Sequence, residues 1–200
     1  DVSEERLYEM TKEAYSSFDT DEVVPLTKLA QRDYVLELWH GPTLAFKDIA
    51  LQMLPRLMSE ALAREEDSKK ILILTATSGD TGKAALEGFR DVDRTGIIVF
   101  YPEEGVSDMQ KLQMVTQRGE NTYVGAVKGN FDDAQTGVKK IFGSPEMNEK
   151  IEKMGYSLSS ANSINIGRLV PQVVYYVYAY VKLMAEGVVN YPEKVNFTVP

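Results

Sequence analysis

The stretch Ile71-Leu72-Ile73-Leu74-Thr75-Ala76-Thr77-Ser78-Gly79-Asp80-Thr81-Gly82 joins an almost continuous apolar run to a turn with two glycines. Such a run is typical of a strand buried on both faces of a parallel sheet. The small residues that follow, from Lys83 to Leu86, favour a helix. A strand, a glycine-rich turn and a helix in this order form an anion site, because free amides and the helix dipole point into the turn.

Two nucleotide-binding motifs can be compared with this turn, and neither fits. The phosphate loop of NTPases needs four residues between its glycines and a Ser or Thr after its lysine, whereas here Gly79 and Gly82 are closer and Ala84 follows Lys83. The dinucleotide fingerprint needs a third glycine that the turn lacks. From the residues alone, an ordinary tight turn between a strand and a helix remains open.

The rest of the chain continues the alternation of strands and helices. Hydrophobic periodicity predicts further strands at residues 34–39, 96–101, 121–127 and 194–199, and helices at residues 4–18 and 169–185. Ser107 is expected to cap a helix, and Asn130 or Asp132 another. Strands that alternate with helices pair in parallel through right-handed crossovers. The fold class is therefore α/β, and the last helix, apolar nearly all round, is expected to be buried between layers.

A lysine stands where another helix is expected to begin. In Trp39-His40-Gly41-Pro42-Thr43-Leu44-Ala45-Phe46-Lys47-Asp48 a Gly-Pro turn precedes Lys47, and apolar residues recur at helical spacing after it. A cation in the first turn is disfavoured, because the helix N-terminus carries partial positive charge. A buried lysine loses its proton readily and can then act as a base or form an imine. From the residue alone, a solvated lysine is the simpler interpretation.

A third polar stretch precedes the last helix: Ser159-Ser160-Ala161-Asn162-Ser163-Ile164-Asn165-Ile166-Gly167-Arg168. Arginine binds phosphate through two parallel hydrogen bonds, and Asn amides and Ser hydroxyls complete such a site without adding charge. A loop that only caps the following helix would have a similar composition. Both interpretations remain open from the residues alone.

Composition excludes several kinds of partner. A formal net charge of -8 argues against nucleic acid or an anionic membrane. The chain has no cysteine, which rules out disulfides and thiolate metal sites, and no metal site is predicted. The absence of a signal-peptide pattern leads us to expect a cytoplasmic protein. The sequence lacks an initiator methionine and ends in a largely apolar run, so we expect a fragment of a longer chain.

Three stretches together resemble the threonine synthase family, whose members use pyridoxal 5'-phosphate (PLP). Residues 40–48 resemble the family's lysine motif, and residues 76–82 resemble its loop for the substrate's α-carboxylate. Residues 161–165 with Arg168 resemble the segment that holds the phosphate of O-phosphohomoserine. The matches follow the family's order and cover nearly the whole chain. The resemblance implies a three-layer, parallel-sheet PLP fold of type II (tryptophan synthase β-like), incomplete in this chain.

The resemblance also implies roles for individual residues. Lys47 would bind PLP and act as the mobile base, with Phe46 and Asp80 beside the cofactor. Asp80 stands where related enzymes often have Asn. The implied substrate-binding residues are Thr77, Ser78, Gly79, Thr81, Asn162, Ser163 and Arg168. The implied reaction converts O-phospho-L-homoserine and water to L-threonine and phosphate by γ-elimination and β-addition.

The resemblance divides the chain at two points. Residues 1–35 and 166–200 would belong to a larger domain, and residues 36–165 would carry the lysine helix and the substrate-binding domain. The family's Gly/Asn-rich loop for the cofactor phosphate has no counterpart in this chain. Alternatives are another fold-type-II enzyme such as a threonine or serine dehydratase, a non-catalytic binding protein of the same fold, and a small-molecule kinase. The sequence does not indicate the oligomeric state.

Overall fold

The computed structural model describes residues 2–65, 69–163 and 165–199, so that Ile164 of the third motif, Asp1 and Pro200 lie outside the described residues. The described residues form seven helices: α1 (Glu4–Ala14), α2 (Asp48–Ala63), α3 (Asp80–Phe89), α4 (Asp108–Val115), α5 (Phe131–Phe142), α6 (Pro145–Lys153) and α7 (Ile166–Ala185). They also form six strands: β1 (Leu26–Lys28), β2 (Tyr34–Leu36), β3 (Lys70–Ala76), β4 (Thr95–Pro102), β5 (Thr122–Val127) and β6 (Tyr156–Ser159).

The main sheet has four parallel strands in the order β5-β4-β3-β6. The chain steps from β3 outward to β4 and β5, and then returns across the sheet to β6. Because right-handed crossovers in opposite directions place their helices on opposite faces, α3 and α4 cover one face and α5 and α6 the other. The contacts of α3 with β4, and of α5 with β3 and β4, agree with this arrangement. The expected three-layer parallel α/β fold is confirmed.

The winding reverses direction between β3 and β6, which are neighbours in the sheet. In open parallel sheets, the loops at the carboxyl ends of strands separate at such a reversal and leave a crevice that binds ligands. The loop after β3 contains residues 77–79, and the loop after β6 contains residues 160–165. The topology therefore places the second and third sequence motifs at the same edge of the sheet.

Helices α2 and α3 pack with their backbones almost in contact. A Cβ atom at Gly88 of α3 would lie 1.9 Å from the carbonyl oxygen of Leu51 in α2. Around this point, buried residues of α2, α3 and the sheet form the largest hydrophobic cluster, which includes Leu54, Ile73 and Phe89. Because Lys47 directly precedes α2 and Asp80 begins α3, this close approach positions the first motif relative to the second.

Two helix starts agree with their sequence signals. Ser107 caps α4 and Asn130 caps α5, each through a side-chain oxygen that accepts a hydrogen bond from the third helical amide. Gln110 and Asp133 complete the two capping boxes by accepting from the cap backbone in return. The cap predictions are therefore confirmed, with Asn130 rather than Asp132 at the start of α5.

Several other predictions are wrong. The first helix ends at Ala14 rather than at residue 18, and β2 ends at Leu36 rather than at residue 39. Residues 194–199 form no strand, because no described strand lies beside them to supply hydrogen bonds. Elements β1, α6 and β6 were not predicted. Their signals were weak, since β6 has only four residues and half of them are serine.

The prediction that α7 is buried on all sides is also wrong. One face packs against α2 and includes Pro171, Tyr175, Ala179 and Leu183. The opposite face is exposed, because the described residues supply no layer over it. The exposed apolar residues on this face are Leu169, Val170, Val173, Val174, Val177 and Val181. Among the described residues, no helix is long and apolar enough to cross a membrane.

The contact between α2 and α3 can be tested by adding a single methyl group at Gly88. Gly88→Ala should lower the free energy of unfolding by about 2 kcal/mol or more, because the backbone at Leu51 has to move. Gly137→Ala in α5 is the matched control, since no atom lies within 4 Å of the added group. This change should stabilise the protein by roughly 0.5–1 kcal/mol. Urea unfolding would measure the free energy of unfolding of both variants. An equal change in Gly88→Ala and Gly137→Ala would contradict the close contact of α2 with α3.

Candidate active site

The loop before α2 is held by a buried carboxylate. Asp48 is fully buried, and its Oδ2 and Oδ1 atoms accept hydrogen bonds from the backbone amide (2.8 Å) and the hydroxyl (2.6 Å) of Thr43. A hydrogen bond from the Leu44 amide to the Gly41 carbonyl closes the turn. A Cβ atom at Gly41 would lie 2.5 Å from the Asp48 carboxylate, so glycine is required here. The loop is thereby folded tightly against the start of α2.

Lys47 is the residue immediately before α2 and occupies its N-cap position, whereas the sequence predicted it within the first turn of the helix. Its side chain is 16% exposed, and its Nζ lies 3.7 Å from Asp80 Oδ2 and 4.2 Å from the centre of the Phe46 ring. Burial lowers the pKa of Lys47; Asp80 opposes this shift, and the positive charges of Arg168 and Lys83 add to it. The amine therefore loses its proton more readily than that of an exposed lysine, and the neutral form is the one that acts as nucleophile or base.

Asp80 connects α3 to two other elements. Its Oδ1 accepts a hydrogen bond from Gln110 Nε2 in α4 (2.9 Å) and lies 3.3 Å from Lys83 Nζ, while its Oδ2 faces Lys47. Burial raises the pKa of Asp80, but the hydrogen bond from Gln110 and the charges of Lys83 and Lys47 outweigh it. The pKa of Asp80 therefore lies below its ordinary value, and the side chain is a carboxylate at neutral pH.

The turn after β3 is organised by a buried threonine. Thr77 Oγ1 accepts hydrogen bonds from the backbone amides of Gly79 (3.0 Å) and Gly82 (2.9 Å). Gly79 has φ +144°, and a Cβ atom there would lie 2.3 Å from the Gln110 side chain. Thr77 thus holds the turn in shape, and only glycine fits beneath Gln110.

The other predicted residues of this turn are nearer the surface. Ser78 is exposed and Thr81 is half-buried. The amides of Asp80 and Thr81 belong to the first turn of α3, so they have no acceptor within the helix. Such amides and hydroxyls are suitable donors for an anion. Their role in substrate binding stays a prediction.

The loop after β6 both caps α7 and positions an arginine. Asn165 is the cap: its Oδ1 accepts from the Gly167 amide (3.0 Å), and its Nδ2 donates to the Ser160 carbonyl (2.9 Å). Arg168 is buried, and its Nη1 donates to the Ala161 carbonyl (3.2 Å). The capping interpretation is therefore confirmed, while phosphate binding by Arg168 stays a prediction.

Arg168 retains unused hydrogen-bonding capacity. Its Nε atom is buried and has no acceptor within the described residues. Burial lowers the pKa of Arg168, yet a guanidinium stays charged in a protein. Its charge acts on Lys47, which places the two groups in one electrostatic environment. Asn162 is half-buried and Ser163 is exposed, and their role in phosphate binding stays a prediction.

Sequence reasoning missed two residues of this cluster. Gln110 was detectable as the last residue of the pattern Ser107-Asp108-Met109-Gln110, which is a capping-box signature. Lys83 was detectable by its spacing of three residues from Asp80 on a predicted helix. Neither signal indicates that both side chains converge on one carboxylate, because that depends on the packing of α4 against α3.

His40 ties the lysine loop to the preceding segments. Its Nε2 lies 2.7 Å from Glu37 Oε2 and its Nδ1 lies 2.5 Å from Asp19 Oδ1. The Asp19 amide also donates to the His40 carbonyl (3.1 Å). The hydrogen bonds to Glu37 and Asp19 raise the pKa of His40 above its ordinary value. The imidazolium form therefore joins the end of the N-terminal segment, β2 and the lysine loop.

Comparisons with known proteins agree with this fold. The chain is 43% identical over 189 residues to a threonine synthase of Pseudomonas aeruginosa, covering 94% of the chain and 38% of that protein. It is 40% identical over 207 residues to human threonine synthase-like 1, covering 100% of the chain and 28% of that protein. The structure matches a PLP-bound threonine synthase from Brucella melitensis with a TM-score of 0.81 and 42% identity, covering 90% of the chain and 38% of that structure. No protein-family model matches the chain.

The parallel α/β sheet, with a largely buried lysine before one helix and a turn with two glycines at the start of the next, belongs to the same fold class as the Brucella protein. The chain spans about 28 to 38% of the relatives named above. Within that span, it is a homologue of the threonine synthases.

The stabilising contribution of His40 should depend on pH. Its folded-state pKa is raised above the value of about 6.5 typical of an unfolded chain. The contribution is then fully present below about pH 6.5 and is lost as the pH rises through the folded-state pKa. Urea unfolding of the protein and of His40→Gln should show this decline in the free energy of unfolding for the protein alone.

The same claim can be checked directly, because His40 is the only histidine of the chain. Its NMR signal is therefore unambiguous and should titrate above the unfolded value. Titration at or below that value would contradict the double ion pair.

Proposed function

We propose that this chain is the lysine-bearing part of a threonine synthase. The enzyme is a PLP-dependent lyase that converts O-phospho-L-homoserine and water to L-threonine and phosphate. The observation that carries the proposal is the cluster of Lys47, Asp80 and Arg168 at the edge of the sheet where the winding reverses. The similarity of about 40% to threonine synthases supports the choice of reaction.

The residues present fit PLP as the cofactor. A covalent link to the cofactor requires an unprotonated lysine, and burial lowers the pKa of Lys47. The Phe46 ring and the Asp80 carboxylate lie beside that amine. The buried and unpaired Nε of Arg168 indicates that the region is built for an additional anionic group. When bound, PLP supplies an electron sink that makes protons on the neighbouring substrate carbons removable.

Lys47 performs the proton transfers. Its amine would hold the cofactor, and the same amine would lie beside the substrate carbons and carry protons to and from them. A lowered pKa lets this amine take a proton from carbon and later return it at neutral pH. The tight loop before α2 keeps Lys47 at a fixed place, since Asp48 and Thr43 hold that loop.

The two loops orient the substrate from its two ends. The first-turn amides of α3, with the hydroxyls of Ser78 and Thr81, bind the α-carboxylate at the positive end of the helix dipole. Arg168, with Asn162 and Ser163, binds the phosphate. As the phosphate departs with its negative charge, the guanidinium stabilises that charge through bidentate hydrogen bonds.

We further propose the division of the chain at residues 36 and 166. All strands of the main sheet lie within residues 36–165, which supports a substrate-binding domain over that range. Helices α1 and α7 lie outside this range, and both pack on the lysine helix α2. A role in the synthesis of an amino acid from small-molecule substrates fits a cytoplasmic location and needs neither nucleic acid nor membrane.

Turnover of O-phospho-L-homoserine in the presence of PLP tests the proposal. Threonine and inorganic phosphate should be released in equal amounts. Arg168→Gln should lower kcat/KM by about 10- to 100-fold, the effect of losing ~1.5–3 kcal/mol of hydrogen bonding to a charged group. The exposed Arg118 provides the matched control, and Arg118→Gln should leave turnover unchanged.

The open alternatives give different results in the same assay. A dehydratase would release ammonia from threonine or serine, and its turnover would not depend on Arg168. A binding protein would take up PLP without turnover. Because Arg168 is buried, Arg168→Lys should accompany Arg168→Gln, with circular dichroism to show that each variant is folded.

A further inference from the structure

A second lysine of the cluster has no role in the proposed reaction. Lys83 lies one turn after Asp80 in α3 and is only 8% exposed. Burial of an ammonium group is costly unless it is paired. The only anion that the described residues place in contact with its Nζ is Asp80, at 3.3 Å. A buried cation that shares its partner with Lys47 therefore calls for an explanation.

The carboxylate of Asp80 is held more firmly on one side than on the other. Its Oδ1 interacts with both Lys83 (3.3 Å) and Gln110 (2.9 Å), whereas its Oδ2 lies 3.7 Å from Lys47. The Gln110 side chain is fixed in turn, because its Oε1 accepts from Ser107 in the cap of α4. The carboxylate is thus anchored by α3 and α4, and its contact with Lys47 is the longest of the three.

The consequence of this arrangement is an excess of positive charge around Lys47. The charged groups that face it are Asp80 and Lys83 from α3 and Arg168 from α7. One carboxylate serves two lysines, so a proton is lost most readily from the amine with the weaker ion pair. A tight and exclusive pair between Asp80 and Lys47 would instead keep the amine protonated and unreactive.

We propose that Lys83 is a positioning residue that holds Oδ1 of Asp80, prevents an exclusive ion pair between Asp80 and Lys47, and so keeps the Lys47 amine reactive. The inference rests on the proposed function of Lys47. Lys83 acts through Asp80 and does not itself touch the substrate. Without its charge, the carboxylate turns fully to Lys47.

The test measures the reactivity of the Lys47 amine in the protein without cofactor or substrate. Brief acetylation with acetic anhydride, followed by mass spectrometry of the peptide that contains Lys47, gives its labelling rate at each pH. Lys83→Met, which keeps the length of the side chain, should lower that rate at neutral pH by about three- to tenfold, the effect of roughly 1 kcal/mol of Coulomb energy. Lys83→Arg keeps the charge and should stay near the original rate.

A second pair of variants separates an action through Asp80 from a direct effect on Lys47. Asp80→Asn should raise the labelling rate of Lys47. Adding Lys83→Met to Asp80→Asn should change it less than twofold, because no carboxylate remains to be redirected and only the weaker direct repulsion between the charges of Lys83 and Lys47 is lost. An equal decrease in both backgrounds would overturn the proposal, as would an unchanged rate in a folded Lys83→Met variant.

Two controls distinguish a loss of reactivity at Lys47 from a loss of folding. The exposed Lys139 serves as an internal reference for labelling, and circular dichroism reports whether each variant is folded. If Lys83→Met does not fold, Lys83→Gln removes the charge with a polar side chain and should give the same decrease. Because no turnover is measured, a negative result here concerns Lys83 alone, whereas absence of threonine formation concerns the proposed function.

Discussion

The reversal of winding between β3 and β6 is the constraint on which the site depends. It brings the loops after these two strands to one edge of the sheet, although 80 residues separate Ser160 from Asp80. The contact of α2 with α3 at Gly88 then places Lys47 against the same edge. Three short motifs that are distant in sequence become one site because the order of the strands reverses and α2 approaches α3 closely at Gly88.

The chemistry of the site follows from burial together with an imbalance of charge. Two lysines and one arginine act on a region where Asp80 is the carboxylate in contact with both lysines. Burial lowers the pKa of Lys47, and the charges of Arg168 and Lys83 offset part of the opposing effect of Asp80. The surplus of cations leaves capacity for anionic ligands. An excess of cationic side chains favours the binding of a phosphorylated amino acid and of an anionic cofactor. The second carboxylate of the region, Asp48, is fixed by its two hydrogen bonds to Thr43 and also feels the charge of Lys83.

The sequence predicted the features of the fold and of the candidate site that depend on a local pattern of residues. The apolar run and turn around residues 71–82 indicated a parallel α/β unit, and residues 40–48 indicated a lysine before a helix. Non-local features could not be predicted. The short strand β6 exists because it pairs with β3, and the convergence of Gln110 and Lys83 on Asp80 depends on helix packing. Apolar sequence alone was not sufficient in two places. Residues 194–199 form no strand because they have no strand partner among the described residues, and one face of α7 is exposed.

The most direct test of the account is whether Lys47 attaches PLP. The protein would be mixed with PLP, its absorbance recorded before and after reduction with borohydride, and the reduced adduct located by peptide mapping. The account predicts an absorbance band that reduction removes and an adduct on Lys47, both absent in Lys47→Ala and present in the control Lys139→Ala. An adduct on another lysine, or a band that persists in Lys47→Ala, would contradict it.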